Sequence, residues 1–189
     1  MFWAAAFVLF NHENHNEDII HFYSPRSGEL TVTRNSPFLT LNFPADKFEQ
    51  VELSKDISAC FDIKPQSAFK GKTDYLVVFD NEDAIRELTP AFDAISKLNA
   101  RGVIITAKGD TVDFVSRFFA PQSGINEDPV TGSAHTTLTP YWAQQLGKTK
   151  LTAMQLSERK GYLQCSYLNE RVEISGEAKL YLIGEIYLE

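Results

Sequence analysis

The densest chemistry in the sequence is the run Glu127-Asp128-Pro129-Val130-Thr131-Gly132-Ser133-Ala134-His135. Asp128 precedes a proline, so its backbone is biased to an extended conformation and its carboxylate can be held rigidly at a strand-to-helix junction. Thr131, Gly132, Ser133 and Ala134 are small and open a helix, and Gly132 has no Cβ to block an approaching ligand. The first amides of a helix lack internal partners and carry partial positive charge, which suits a carboxylate or phosphate. Ser133 can cap the helix or touch the ligand, and His135 in the first turn could donate or accept a proton. Together these groups fit proton transfer beside a bound carboxylate. An ordinary Asp-Pro turn into a Ser-capped helix has the same pattern, and a lone histidine there is more often structural. Spacing alone leaves both readings open.

The elements that must position this run are readable from periodicity. A helix is expected over 133–146, closed by Gly147 and kinked or broken at Pro140. Strands are expected before it at 102–106 and 112–119, and after it at 151–156, 162–168, 172–175 and 179–188. Earlier in the chain, residues 2–11 read as an apolar helix. Strands at 19–24 and 29–34 flank the turn Pro25-Arg26-Ser27-Gly28, and 38–43 alternates like a half-buried strand that Pro44 ends. Helical spacing marks 51–61, a short strand 75–79, and a helix from Asn81 to Leu88. A further helix would start with Thr89 as N-cap and Pro90 at its first position. Each half of the chain thus has a helix followed by several strands, an order that suggests two α+β lobes.

Composition narrows the function. The chain has 189 residues, 43% of them hydrophobic, enough for a packed core. Its 25 acidic and 18 basic residues give a net charge of -7, which argues against nucleic acid as a partner. A cytoplasmic protein handling small molecules fits this balance, with no membrane partner, since the apolar start is too short to cross a bilayer and lacks a signal peptide's basic region. Cys60 and Cys165 lie in apolar contexts and read as core residues, neither disulfide nor metal ligands. His12-Glu13-Asn14-His15 falls on a polar turn without further ligands, so no metal site is expected.

Several motifs resemble the PhzF-like (phenazine-biosynthesis-type) isomerase family. They are Arg117-Phe118-Phe119-Ala120-Pro121, Gly124-Ile125, the 127–135 run, Pro140-Tyr141-Trp142, Leu146-Gly147-Lys148, Gln155-Leu156-Ser157-Glu158-Arg159 and Arg171-Val172-Glu173-Ile174-Ser175-Gly176. Upstream, Ser27-Gly28-Glu29-Leu30 and Leu41-Asn42-Phe43-Pro44 also fit. The resemblance implies a diaminopimelate-epimerase-like α+β fold of two pseudo-symmetric lobes. Each would be a barrel-like, mostly antiparallel sheet around a central helix, with the ligand between them. Residues 1–100 would form the first lobe and 101–189 the second, the last strand pairing back to the first. It implies cofactor-free proton relocation on a small carboxylate-bearing substrate, and a homodimer. Asp128 carries over as a site acid, with His135 as its catalytic companion, and Thr131, Gly132, Ser133 and Ala134 as the substrate-binding segment.

The sequence departs from the family pattern in two places. The family has an earlier segment with a glutamate in an Asn-Leu-Ser-Glu-Thr-like motif, its main acid–base group, and a Cys-Gly-His-Ala-Thr-like helix start. Neither occurs in these 189 residues. Residues 2–10 then correspond to the remainder of the first central helix, and the expectation is a shortened first lobe with impaired activity. Lys160 stands where the family often has glycine, which puts that turn in question. A two-cysteine racemase of the same fold would need a thiol at each helix start, and position 133 is serine. The competing class is a non-catalytic small-carboxylate-binding or interaction protein of the same fold.

Overall fold

Alternation of apolar and polar residues builds most of this molecule, and the strands it produces join into one sheet. The structure, a computed structural model, describes residues 2–13, 15–25 and 27–185. The chain opens with helix α1 (Phe2–Asn11), followed by β1 (Ile19–Ser24), β2 (Gly28–Asn35) and β3 (Phe38–Pro44). Gly28 sits at φ +70°, the left-handed turn conformation that glycine adopts without cost, and it begins the second strand of the β1–β2 hairpin. Next come β4 (Glu49–Val51), α2 (Lys55–Ser58), β5 (Ser67–Lys70), β6 (Asp74–Val78), α3 (Glu82–Glu87) and α4 (Phe92–Ile95). Then β7 (Gly102–Lys108) and β8 (Phe114–Ala120) lead through a 3-10 turn to β9 (Ile125–Glu127). A second 3-10 turn (Gly132–Ala134) enters α5 (His135–Leu146), and β10 (Lys150–Gln155), β11 (Gly161–Tyr167) and β12 (Arg171–Glu177) complete the described strands.

The sheet runs β1-β2-β3-β12-β11-β10-β8-β7-β6-β5-β4, with β9 beside β8. Pairing is parallel at β6–β7 and at β8–β10, and antiparallel elsewhere. The β6–β7 pair links strands on either side of residue 100, and β3–β12 joins strands near the two ends of the chain. The architecture is mixed α+β, a large sheet with few helices.

Strand alternation divides the core. Leu76 and Val78 of β6, Ile104 of β7, and Phe114 and Phe118 of β8 belong to the core that contains α5. Val77, Val103, Ile105, Val115 and Phe119, their sequence neighbours, pack toward α2, α3 and α4 on the other face. Each such burial contributes about 1.5–3 kcal/mol, so a one-residue slip in β7 or β8 would exchange the two cores. The buried thiols of Cys60 and Cys165 are both free, and burial pushes their pKa values up to about 11 and about 12, as unreactive core residues. Among the described residues no helix is long and apolar enough to cross a membrane.

Several local expectations need correction. The helix expected over 51–61 is one short turn, α2, capped by Ser54 Oγ accepting the Ile57 amide, because Glu49–Val51 is taken up as β4 by pairing with β5. Thr89 and Pro90 do not start a helix. The Thr89 amide donates to Asp62, Phe61 bridges Pro90, and the Ala91 amide donates to the Cys60 carbonyl, so this segment is held extended until α4. No strand forms over 178–185, and the remainder of the one expected at 179–188 lies outside the described residues. Pro140 does not break α5, which runs unbroken from His135 to Leu146.

Candidate functional site

The 127–135 run is a loop pinned at nearly every residue. Arg117 on β8 grips Glu127 on β9 with two bonds, Nε to Oε1 at 2.8 Å and Nη2 to Oε2 at 2.9 Å. Its third nitrogen donates to the carbonyls of Ile85 and Leu88 at the end of α3. Glu127 is therefore a structural partner of Arg117. The Asp128 amide donates to the Phe118 carbonyl. Gln155, fully buried at the end of β10, donates to the Asp128 carbonyl at 2.7 Å and accepts the Thr131 amide at 2.8 Å. Ser157 Oγ donates to the Pro129 carbonyl, and Val130 packs where a Cβ on Gly161 would stand. The sequence motif around Gln155 and the motif around Asp128 are thus two halves of one brace. A glutamine in phase with the buried Leu151 and Ala153 of β10 was the signal for it.

Within that brace, Asp128 is half-buried, and its Oδ2 accepts the Thr131 hydroxyl at 2.6 Å. Its Oδ1 has no hydrogen-bond partner among the described residues. Thr131 and Ala134 are 6% and 1% exposed, and both polar groups of Thr131 outside its carbonyl are spent on Gln155 and Asp128, so neither residue is free to hold a ligand. A Cβ on Gly132 would meet Leu41 at 3.4 Å and Trp3 at 3.5 Å, ordinary contact distances, so packing against α1 and β3 does not by itself demand glycine there.

His135 corrects the sequence reading most sharply. It is completely buried, 6.0 Å from the Phe114 ring, and its Nδ1 lies 2.9 Å from the Thr131 carbonyl. A carbonyl only accepts, so Nδ1 carries the hydrogen and the buried Nε2 is left without a partner among the described residues. Burial pushes its pKa down to about 4, partly opposed by the bond to Thr131. Such a walled-in ring packs as a core residue.

Ser133 is half-buried and opens onto a cavity of about 470 Å³, which it lines together with Arg101, Asp74, Asp46, Lys72 and Thr136. Arg101 stands just before β7. Its Nε donates to Oδ1 of Asp74 at 2.9 Å, its Nη2 to Oδ2 of the same carboxylate, and its Nη1 to Ser133 Oγ at 3.1 Å. Asp74, only 3% exposed, begins β6, and the parallel β6–β7 register places it opposite Gly102. The hydrogen bond to Asp74 raises the Arg101 pKa, against a smaller opposing effect of burial, and the charges of Asp74, Asp46 and Asp128 raise it further.

Asp46 fastens the opposite wall. Proline has no amide hydrogen, so Pro140 leaves the Thr136 carbonyl free inside α5. The Asp46 amide takes that carbonyl at 3.0 Å, while Asp46 Oδ2 accepts the Thr137 hydroxyl at 2.9 Å. The same carboxylate accepts the Lys72 amide, and a Cβ on Gly71 would collide with it. This outside donor is why the helix continues through its proline.

With this geometry in hand, comparison with known proteins is decisive. A family model described as "Phenazine biosynthesis-like protein" matches residues 3–184. The chain belongs to the phenazine biosynthesis-like protein family. An uncharacterized isomerase of Pseudomonas aeruginosa is 45% identical over 185 residues, covering 98% of this chain and 71% of the relative. A human phenazine biosynthesis-like domain-containing protein is 32% identical over 209 residues, covering 97% of this chain and 70% of its own length. Among solved structures, a PhzF family protein of Enterococcus faecalis superposes with a TM-score of 0.91 at 44% identity, over 98% of this chain and 71% of that one. A predicted epimerase of Pseudomonas aeruginosa shares the fold alone, with a TM-score of 0.66 at 16% identity over 98% of this chain and 72% of that one. Relatives named as isomerases support a general isomerase function for this family member.

Proposed function

We propose that this chain is an isomerase that binds a small carboxylate-bearing substrate beside Ser133 and relocates a proton on it without a cofactor. The observation that carries the reading is the cavity in which Ser133, at the start of α5, meets the Arg101 guanidinium. The amides of Gly132 and Ser133 are the first of the helix entry and have no internal acceptor, which adds favourable potential for an anion. Asp128 is the proposed proton carrier, because its Oδ1 is unpartnered while Asp46 and Asp74 are tied to Thr137, Lys72 and Arg101. A carboxylate with one free oxygen can still accept and return a proton. With the lining acids committed, turnover by the 189-residue chain is expected to be weak.

The test is hydrogen–deuterium exchange into a bound carboxylate, followed by NMR in heavy water. Slow exchange is expected from the parent chain, falling about a hundredfold or more in Asp128→Asn. Exchange unchanged by that substitution would remove Asp128 from the mechanism. Binding without exchange in either protein would favour a non-catalytic carboxylate-binding role.

A further inference from the structure

We infer that Arg101 is a specificity-determining residue of this cavity, holding the Ser133 hydroxyl so that site and guanidinium together select an anionic group over its neutral isostere. The inference rests on the proposed binding reading and adds a residue that the sequence motif does not contain. Its basis is the direction of the hydrogen bonds. Ser133 Oγ accepts from Arg101 Nη1, so its single hydroxyl hydrogen is directed away from Arg101, and no acceptor for it is present among the described residues. A guanidinium has five N–H donors. Three of its nitrogens make bonds here, Nε and Nη2 to Asp74 and Nη1 to Ser133, leaving one N–H on each Nη. The Arg101 side chain is 39% exposed, against 3% for Asp74. The buried carboxylate is the fixed end of the pair and the guanidinium its reachable end.

Asp74 also accepts the Thr73 hydroxyl, and Arg101 lies over the Phe118 ring at 5.3 Å. Its fork is therefore held from two sides before any ligand arrives. A ligand carboxylate in the cavity can then accept the Ser133 hydroxyl and the remaining Nη hydrogens, an arrangement that needs a planar guanidinium. An amide of the same shape presents one acceptor and a donor that would face these donors. The pair should discriminate by charge and acceptor number, with shape contributing little.

Benzoate and benzamide are the probes, with binding to the full chain measured by calorimetry. The parent should favour benzoate by about tenfold or more. Arg101→Lys keeps the charge but loses the fork. It should weaken benzoate about tenfold and leave benzamide within about twofold. Ser133→Ala leaves the Arg101–Asp74 pair intact and should show the same selective loss, which covers the case in which Arg101→Lys fails to fold. Equal weakening of both probes by either variant would assign a purely structural role and overturn the inference. If the parent binds benzoate, Ser133→Trp abolishes it by filling the cavity, and the benzoate preference survives Arg101→Lys and Ser133→Ala, the binding reading stands and only the role of Arg101 falls. No benzoate binding by the parent overturns both.

Discussion

The two longest helices invert what their compositions suggest. α1, FWAAAFVLFN, is apolar almost throughout, yet only Ala6 and Phe10 are buried and Val8 is 44% exposed. α5, HTTLTPYWAQQL, is rich in hydroxyls and carries a proline, yet eight of its residues are buried, His135, Thr137 and Thr139 among them. α1 packs on β2 and β3, whereas α5 touches β10, β11 and β12 and meets the aromatic wall of β8. Position in the sheet, more than side-chain polarity, decides burial here. Some of these polar groups are met nearby, Thr137 donating to Asp46 and Trp142 to Thr106, whereas Thr139 Oγ1 and His135 Nε2 are buried without a partner among the described residues.

Each helix has one of the chain's two tryptophans, which makes the contrast measurable. Trp142 is 6% exposed, stacks on Phe114 at 5.9 Å, and donates to Thr106 Oγ1 at 2.9 Å. Trp142→Ala should cost about 3–5 kcal/mol in urea unfolding. Half-buried Trp3 donates to the Leu39 carbonyl, and Trp3→Ala should cost less than half as much. Equal costs would erase the distinction between the helices.

The next largest effect depends on pH. The folded pKa of His135 lies near 4, below its ordinary 6.5, so between these values the unfolded chain binds a proton that the native state excludes. Its contribution to stability is complete above pH 6.5 and is lost as pH falls toward 4, on the order of 3 kcal/mol in all. His135→Gln cannot take up that proton. The difference in stability between parent and variant should therefore move in the variant's favour across this window. A difference that is flat with pH would show His135 reachable by water.

The smallest effect lies away from both helices. Lys160 sits at φ +54° in the turn between β10 and β11, a conformation that disfavours side chains with a Cβ. Lys160→Gly should stabilise by a few tenths to about 1 kcal/mol, read as a raised melting temperature.

The strands were legible in sequence wherever alternation or a continuous apolar run covered about five residues, as in 38–43 and 102–106. β4 and β9, of three residues each, offer no period to read, and they exist because β5 and β8 pair with them. The run around Asp128 was legible as a site, but the seclusion of His135 was not, because it depends on Phe114 across the core. Arg101 was missed for a related reason. It lies 32 positions from Ser133, and only the β6–β7 register brings it there beside Asp74.

Pro140 has a mechanical consequence. The Thr136 carbonyl it releases is bound by Asp46, two residues beyond the end of β3, and β3 is itself zipped to β12. α5 is thereby latched axially and cannot slide like a piston through the sheet without tearing that bond. A shift of α5 that preserves this bond must therefore carry Asp46 with it.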